Sequence, residues 1–221
     1  MNVLLLCDDP WHPAEIIEQG LMAMDREDMF FRVVKTAKDI LTPDMVRRYD
    51  CLVNCHGSSI NASNPHAWFE PGVTEFGPEE FRDYVARGGG LVAVHSGLTI
   101  GGDEAPQPAY TEVVGSYFIS HPPRETAHMR ITAENEITRG VGDFSARDEH
   151  YQIKITARDI EPFMETVSDR GGVTVSGYRR FFGKGRVAAL TPGHTLAVWE
   201  NPEFQKLFKN AIRWAAGACS A

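Results

Sequence analysis

Long apolar runs are missing from the 221-residue chain. No stretch approaches the ~18 residues that a membrane span requires, so no membrane association is expected. An excess of positive charge is missing too. Lys and Arg number 22 against 30 Asp and Glu, a net charge of −8, which argues against a phosphate-backbone partner; no nucleic-acid binding is expected. Cysteine is scarce. Cys7, Cys51, Cys55 and Cys219 have neither zinc-motif nor secreted-framework spacing, and two fall in apparent core strands, so reduced thiols in a cytoplasm are expected. The run Val3 to Cys7 has no basic region before it and meets Asp8 and Asp9 after it. It reads as a buried strand rather than an export signal.

Several motifs of known chemistry are also lacking. There is no H-E-x-x-H, Gly88-Gly89-Gly90 precedes a strand rather than a helix, and Gly183-Lys184-Gly185 has no Walker spacing. No nucleotide cofactor is therefore expected. His95-Ser96-Gly97 stands where a strand meets a loop, but the glycine that precedes the serine of a nucleophile elbow is missing.

With 43% hydrophobic and 24% charged residues, the chain can bury a sizeable core without disulfides or metal. No repeat, low-complexity segment or linker interrupts it, and it reads as one domain over residues 1–221. The first half alternates strands and helices. Val3 to Cys7, Phe30 to Val34, Cys51 to Cys55 and Leu91 to Val94 are strand-like. Between them, Pro13 to Met24 carries Ile17, Leu21 and Met24 on one helical face, Thr42-Pro43-Asp44 starts a helix, and Pro78 to Arg87 is helical. Units of this kind predict right-handed crossovers and a mainly parallel sheet with helices on both faces.

Ser58 to Pro71 and Gly101 to Pro108 read as loops. Later, Ala127 to Ile131, Gln152 to Ile155 and Val173 to Tyr178 alternate and predict strands, some antiparallel. Gly183-Lys184-Gly185 reads as a hairpin turn before the strand Arg186 to Leu190. Asn201 and Pro202 then open a helix with a stripe of Phe204, Leu207, Phe208, Ala211, Ile212 and Ala215. The fold class is thus α/β, a doubly wound, mainly parallel sheet with antiparallel additions in the second half.

In an open parallel sheet, ligands bind beyond the carboxyl ends of the strands. His12, His56, His95 and His194 each follow a predicted strand, on what should be one rim. Clustered imidazoles suit two chemistries: ligation of zinc or a similar divalent ion, and proton transfer near neutrality. Asp148-Glu149-His150-Tyr151 precedes another predicted strand. Alternation puts Glu149 and Tyr151 on one side, and a carboxylate beside an aromatic suits a polyhydroxylated ligand. Trp68 and Trp199 are candidate sugar platforms or core residues.

These pieces, with Gly115-Ser116-Tyr117-Phe118, His121-Pro122-Pro123 and Asn210-Ala211-Ile212-Arg213-Trp214-Ala215-Ala216, occur in an order and spacing similar to the trehalose-utilisation (ThuA-like) family. The resemblance runs nearly end to end. It implies a class I glutamine amidotransferase-like, flavodoxin-like fold and a cytoplasmic protein of carbohydrate catabolism, associated with trehalose and related disaccharides or their 3-keto derivatives. His12, His95, Glu149 and His194 match the family's recurrent polar residues, with His121 as a further candidate. Two family features are replaced: Thr195 stands where an acidic residue often follows the Gly-His motif, and Glu136-Ile137 replaces a His-Pro. Glutamine hydrolysis is not expected, because His95-Ser96 replaces the required cysteine and no His-x-Glu follows at His194.

The expectation is an enzyme acting on a sugar or keto-glycoside. His95, Glu149 and His194 are the catalytic candidates, and His56, Ser96, His121 and Tyr151 the substrate-binding ones. His12, His95 and His194 are candidate ligands for a divalent metal, zinc favoured. The alternatives are a non-catalytic carbohydrate-binding or regulatory module, and an interaction subunit for a sugar dehydrogenase that presents Trp68, Phe69 and Phe76 as an apolar patch. Homo-oligomerisation is a further expectation.

Overall fold

The computed structural model describes residues 1–35, 37–61, 64–101 and 107–217. Its elements are β1 (Asn2–Leu6), α1 (Ala14–Ala23), β2 (Phe30–Val34), α2 (Ala37–Ile40), α3 (Pro43–Val46), β3 (Cys51–Asn54), β4 (Ser59–Asn61), β5 (Asn64–Ala67), α4 (Pro78–Ala86) and β6 (Gly90–Val94). A 3-10 turn (His95–Leu98) leads to α5 (Pro108–Val114), β7 (Ser116–Ser120), β8 (Glu125–Ile131), β9 (Phe144–Asp148), β10 (Gln152–Ile155) and β11 (Glu161–Ser168). The last elements are β12 (Gly172–Phe182), β13 (Gly185–Leu190), α6 (Leu196–Trp199) and α7 (Pro202–Ala215).

Nine strands form one sheet in the order β2-β1-β3-β6-β13-β12-β11-β8-β9. The first five are mutually parallel. From β13 onward every pairing is antiparallel. β7 and β10 pair apart from this sheet, as do β4 and β5.

The parallel strands read as continuous apolar runs because both faces are covered. Val3 and Leu5 of β1 join Ile17 and Leu21 of α1 and Phe204, Leu207, Phe208 and Ile212 of α7 in one core. Leu4 and Leu6 face the other way and join Val46 of α3, Phe81 and Val85 of α4, and Tyr110, Val113 and Val114 of α5. The period-2 alternation of β1 thus divides its side chains between two layers. Local signals hold where they were strongest. The Thr42 hydroxyl accepts from the Met45 amide at α3, and the Asn201 side chain accepts from the Glu203 amide at α7.

Direction along the sheet decides where the site forms. The carboxyl ends of β1, β3, β6 and β13 share one rim because these strands are parallel. Four antiparallel steps separate β9 from β13, and an even number of reversals returns β9 to the direction of β13. The residues after β9 therefore emerge on that same rim. In a flat sheet the two strands would be roughly 19 Å apart. The Asp148 carboxylate nevertheless accepts from the Gly193 amide at 2.9 Å, so the antiparallel half curls back over the carboxyl end of β13.

Three expectations are corrected. The segment Ser58 to Pro71, read as a loop, contains the β4–β5 pair. Trp68 and Phe76 do not form an exposed patch: both are buried, and Trp68, Phe69 and Phe76 each pack against rings of the α4 layer. Nor is Trp199 an exposed platform, since it is buried and its indole N–H donates to the Gly193 carbonyl. Elements the sequence reading did not anticipate include α5, β7, β9, β11 and α6. Cys219 and most of the Gly101 to Pro108 loop lie outside the described residues. The described thiols, Cys7, Cys51 and Cys55, are buried and free, and burial pushes Cys7 up to about 12. No described helix is long and apolar enough to cross a membrane.

Candidate functional site

The rim gathers His12, His95, Glu149 and His194 into one cluster. One ligand atom from each lies within 4.8 Å of all the others. His95 Nε2 stands 3.3 Å from His194 Nδ1 and 3.4 Å from Glu149 Oε2, and His194 Nδ1 is 3.1 Å from the same Oε2. Each residue comes from a different strand end.

His12 sits in a turn that begins at Asp8, whose φ of 83° is left-handed. The buried Asp9 carboxylate builds this turn. Its Oδ1 accepts from the Trp11 and His12 amides and from His12 Nδ1 at 2.7 Å, and its Oδ2 accepts from the Gly57 amide after β3. Burial alone would raise the Asp9 carboxyl, but these donors, the His12 ring first, outweigh it and hold it below its ordinary value. An acid oxygen opposite Nδ1 makes Nδ1 the protonated nitrogen and leaves the Nε2 lone pair toward the cluster. The Tyr151 hydroxyl is 3.3 Å from that Nε2.

His95 opens the 3-10 turn with φ 47°, a conformation that costs about 1–3 kcal/mol and persists only where neighbours impose it. Those neighbours are visible. Nδ1 lies 2.8 Å from the Thr191 carbonyl, and the ring stacks on Tyr151 with centroids 3.9 Å apart. A carbonyl only accepts, so Nδ1 carries the proton and Nε2 presents its lone pair to Glu149 and His194. Burial, ahead of any partner, pulls the imidazole down to about 4.

Glu149 is pulled both ways. Burial works to raise its carboxyl, but the contact with His194 foremost outweighs burial and holds it well below the usual carboxylate range. Protons alone serve this corner poorly: a neutral His95 turns a lone pair, not an N–H, toward the carboxylate. At the mouth, His121 Nε2 is 3.5 Å and Arg124 Nε 3.9 Å from Glu149. Phe118, His121 and Tyr151 form an aromatic wall there, and Trp11 is exposed on the turn beside His12.

The other candidates take different places. His56 is fully buried outside the cluster, with its ring 4.9 Å from that of Trp68 and Nδ1 beside the Gly57 carbonyl. Ser96 is buried and donates its hydroxyl to the Cys55 carbonyl at 2.6 Å. Gly97 follows at a close crossing of two backbones.

Asp9 and Asp148 are supporting residues that sequence reasoning passed over. The buried Asp148 carboxylate accepts from the amides of Gly193, His194 and Thr195 and so fixes the turn that carries His194. Burial pushes its carboxyl up to about 7 against the pull of these amides. His150, between Glu149 and Tyr151, points away to the Ser168 and Thr174 hydroxyls. Asp148→Asn is expected to destabilise the protein by about 3 kcal/mol, because an NH2 group must then face amide N–H donors and buried donors lose their acceptor. For a chain of this length that is a fall in Tm of roughly 6–12 °C, to be measured by calorimetry. A change below about 1 kcal/mol would show that the turn does not depend on the carboxylate.

The ThuA family profile, described as trehalose utilisation, matches residues 6–215. No curated protein matches the chain by sequence. Among solved structures, a ThuA-like protein of Parabacteroides merdae is 16% identical with a TM-score of 0.73, over 100% of this chain and 92% of that one. A ThuA-like protein of Bacteroides uniformis is 16% identical with a TM-score of 0.71, over 97% and 91%. Cytoplasmic protein STM1381 of Salmonella typhimurium LT2 is 17% identical with a TM-score of 0.67, over 99% and 98%. These likenesses concern the fold, whereas the family match spans almost the whole sequence: the chain belongs to the ThuA family.

Proposed function

We propose that the chain is an enzyme of carbohydrate utilisation that acts on a sugar or keto-glycoside at the His12, His95, Glu149 and His194 cluster, with a divalent cation, zinc favoured, held there. The observation that carries the reading is the meeting of unprotonated donors. His12 and His95 are each fixed as the Nδ1–H tautomer by an acceptor behind the ring, and both turn Nε2 lone pairs toward a carboxylate and a third imidazole within 4.8 Å. Acceptors brought together with few protons between them repel; a cation reverses the sign. Three imidazoles with a carboxylate are a donor set that suits zinc, and each ring has an oriented partner or a fixed turn behind it.

A bound cation would supply Lewis acidity toward a sugar carbonyl or a water. The protein's own part is to orient the substrate along the Phe118, His121 and Tyr151 wall and to accept or return a proton at a ring of the cluster that does not hold the cation. The family's description as trehalose utilisation supports a carbohydrate as substrate. The name of the Salmonella typhimurium neighbour supports a cytoplasmic setting. The strand order of the parallel half supports a flavodoxin-like reading of that half.

Metal content by inductively coupled plasma mass spectrometry on tag-free protein tests the reading, with wild type and His95→Ala compared after loading with zinc or manganese. About one ion per chain is expected in wild type and less than about a tenth of that in His95→Ala. Product analysis with trehalose and its 3-keto derivative is run on the same samples. A wild type that rebinds no ion under controlled loading overturns the cation. Saturable sugar binding without product would replace the enzyme by a carbohydrate-binding module.

A further inference from the structure

The four donors of the cluster are not equivalent. His95 Nε2, His194 Nδ1 and Glu149 Oε2 are separated by 3.1, 3.3 and 3.4 Å. Neighbouring ligands of a tetrahedral ion with bonds of about 2.0–2.1 Å stand about 3.3 Å apart. These three therefore already hold a ligand spacing. His12 completes the 4.8 Å envelope, but the partner of its Nε2 at hydrogen-bond distance is the Tyr151 hydroxyl.

We infer that His95, His194 and Glu149 form the ligand set and that His12, backed by Asp9, is reserved as the proton-transfer residue facing the remaining position. The inference rests on the cation reading above. The Asp9 contact by itself would suit a ligand histidine equally well, since such rings commonly donate their other N–H to a carboxylate. The ligand spacing and the Tyr151 contact separate the two roles. Asp9 is held in place behind the ring, being 4% exposed and bonded by three backbone amides besides His12 Nδ1.

In this role His12 Nε2 takes the proton of a substrate hydroxyl or a water. The O–H bond breaks, its electron pair stays on oxygen, and the proton forms the Nε2–H bond. The imidazolium that results keeps its Nδ1–H on the Asp9 carboxylate, which stabilises the charge as the acid of a catalytic triad does. The Tyr151 hydroxyl, which can only donate to a bare Nε2, holds the ring in its proton-accepting form until substrate displaces it.

The division is tested on the full chain loaded with cobalt(II), whose visible spectrum reports ligand number and geometry. Wild type, His12→Gln, His194→Ala and Glu149→Gln are compared for cobalt content, spectrum and conversion of trehalose and its 3-keto derivative. The His12→Gln protein is expected to hold about one cobalt per chain with the wild-type spectrum, while conversion falls by roughly 10²- to 10⁴-fold. His194→Ala and Glu149→Gln lose the ion. In zinc-loaded, 15N-labelled wild type, His12 Nε2 keeps the chemical shift of an uncoordinated nitrogen. Loss of cobalt or an altered spectrum in His12→Gln, or a coordinated shift at His12, overturns the division. Undiminished conversion in His12→Gln overturns the proton-transfer role. A wild type that binds no cobalt instead removes the cation reading, and a wild type that binds cobalt but converts neither sugar removes the enzyme.

Discussion

In the Glu149→Gln variant, affinity for the proposed cation is expected to fall by more than 100-fold, beyond the 10- to 100-fold that follows from removing a partner behind a ligand. The reason is charge as well as contact. Glu149 within the proposed ligand set and Asp9 behind His12 together match a divalent charge, while His95 and His194 are neutral ligands. Glutamine keeps the volume of the side chain and removes half of that compensation. The effect is readable as a difference in stability. At an ion concentration 100 times the wild-type Kd, wild type gains about 2.7 kcal/mol, whereas a variant weakened 100-fold gains about 0.4 kcal/mol. Urea unfolding in chelator and in ion measures both gains on one protein. Equal gains in wild type and variant would remove Glu149 from the ligand set.

Gly97→Ala is expected to cost at least about 3 kcal/mol of stability, at the upper end of overpacking effects. A Cβ on Gly97 would stand 2.1 Å from the Asn54 carbonyl oxygen and 2.9 Å from its carbon. Both obstacles are backbone at the end of β3, so no side chain can swing aside. Relief requires the 3-10 turn to lift off the sheet. That turn begins at His95, and a displacement of about 1 Å at a reacting group can cost roughly 100-fold in rate. Denaturant midpoint and ion affinity should therefore fall together. A variant within about 0.5 kcal/mol of wild type would show that the turn has freedom the crossing does not suggest.

The histidine rim was legible because two simple signals coincide. Continuous apolar runs mark strands covered on both faces, and a histidine directly after such a run falls on the ligand-binding edge. His12, His95 and His194 were found in this way. His56 obeys the same rule, yet its ring turns into the core against Trp68, a difference of side-chain direction that spacing does not encode. Glu149 was selected by alternation, but its arrival at the rim depends on the parity of the antiparallel strands. Of those, β9 and β11 were not recognised. In β9 the inward positions are Phe144, Ala146 and Asp148, and a buried carboxylate breaks the apolar alternation that marks a strand. The sequence reading gives Asp148 and Asp9 no supporting role for the same reason: an acid reads as solvated until the backbone amides it serves are in place. The patch reading of Trp68 and Phe76 fails, and the core alternative for Trp68 holds, because a long polar segment suggests exposure whereas both side chains close over the α4 layer.

β13 is the seam of the molecule, parallel to β6 on one side and antiparallel to β12 on the other. The proposed ligands straddle it. His95 belongs to the parallel half, His194 to the seam itself, and Glu149 to the far end of the antiparallel half. No fragment containing only one half can assemble the proposed set, so a cation held by it would need the curled half closed over the seam. On that proposal, cation uptake would report the meeting of the two halves. In refolding with cobalt present, helix and sheet signals should return first, and the colour of the metal centre should develop only as the two halves meet.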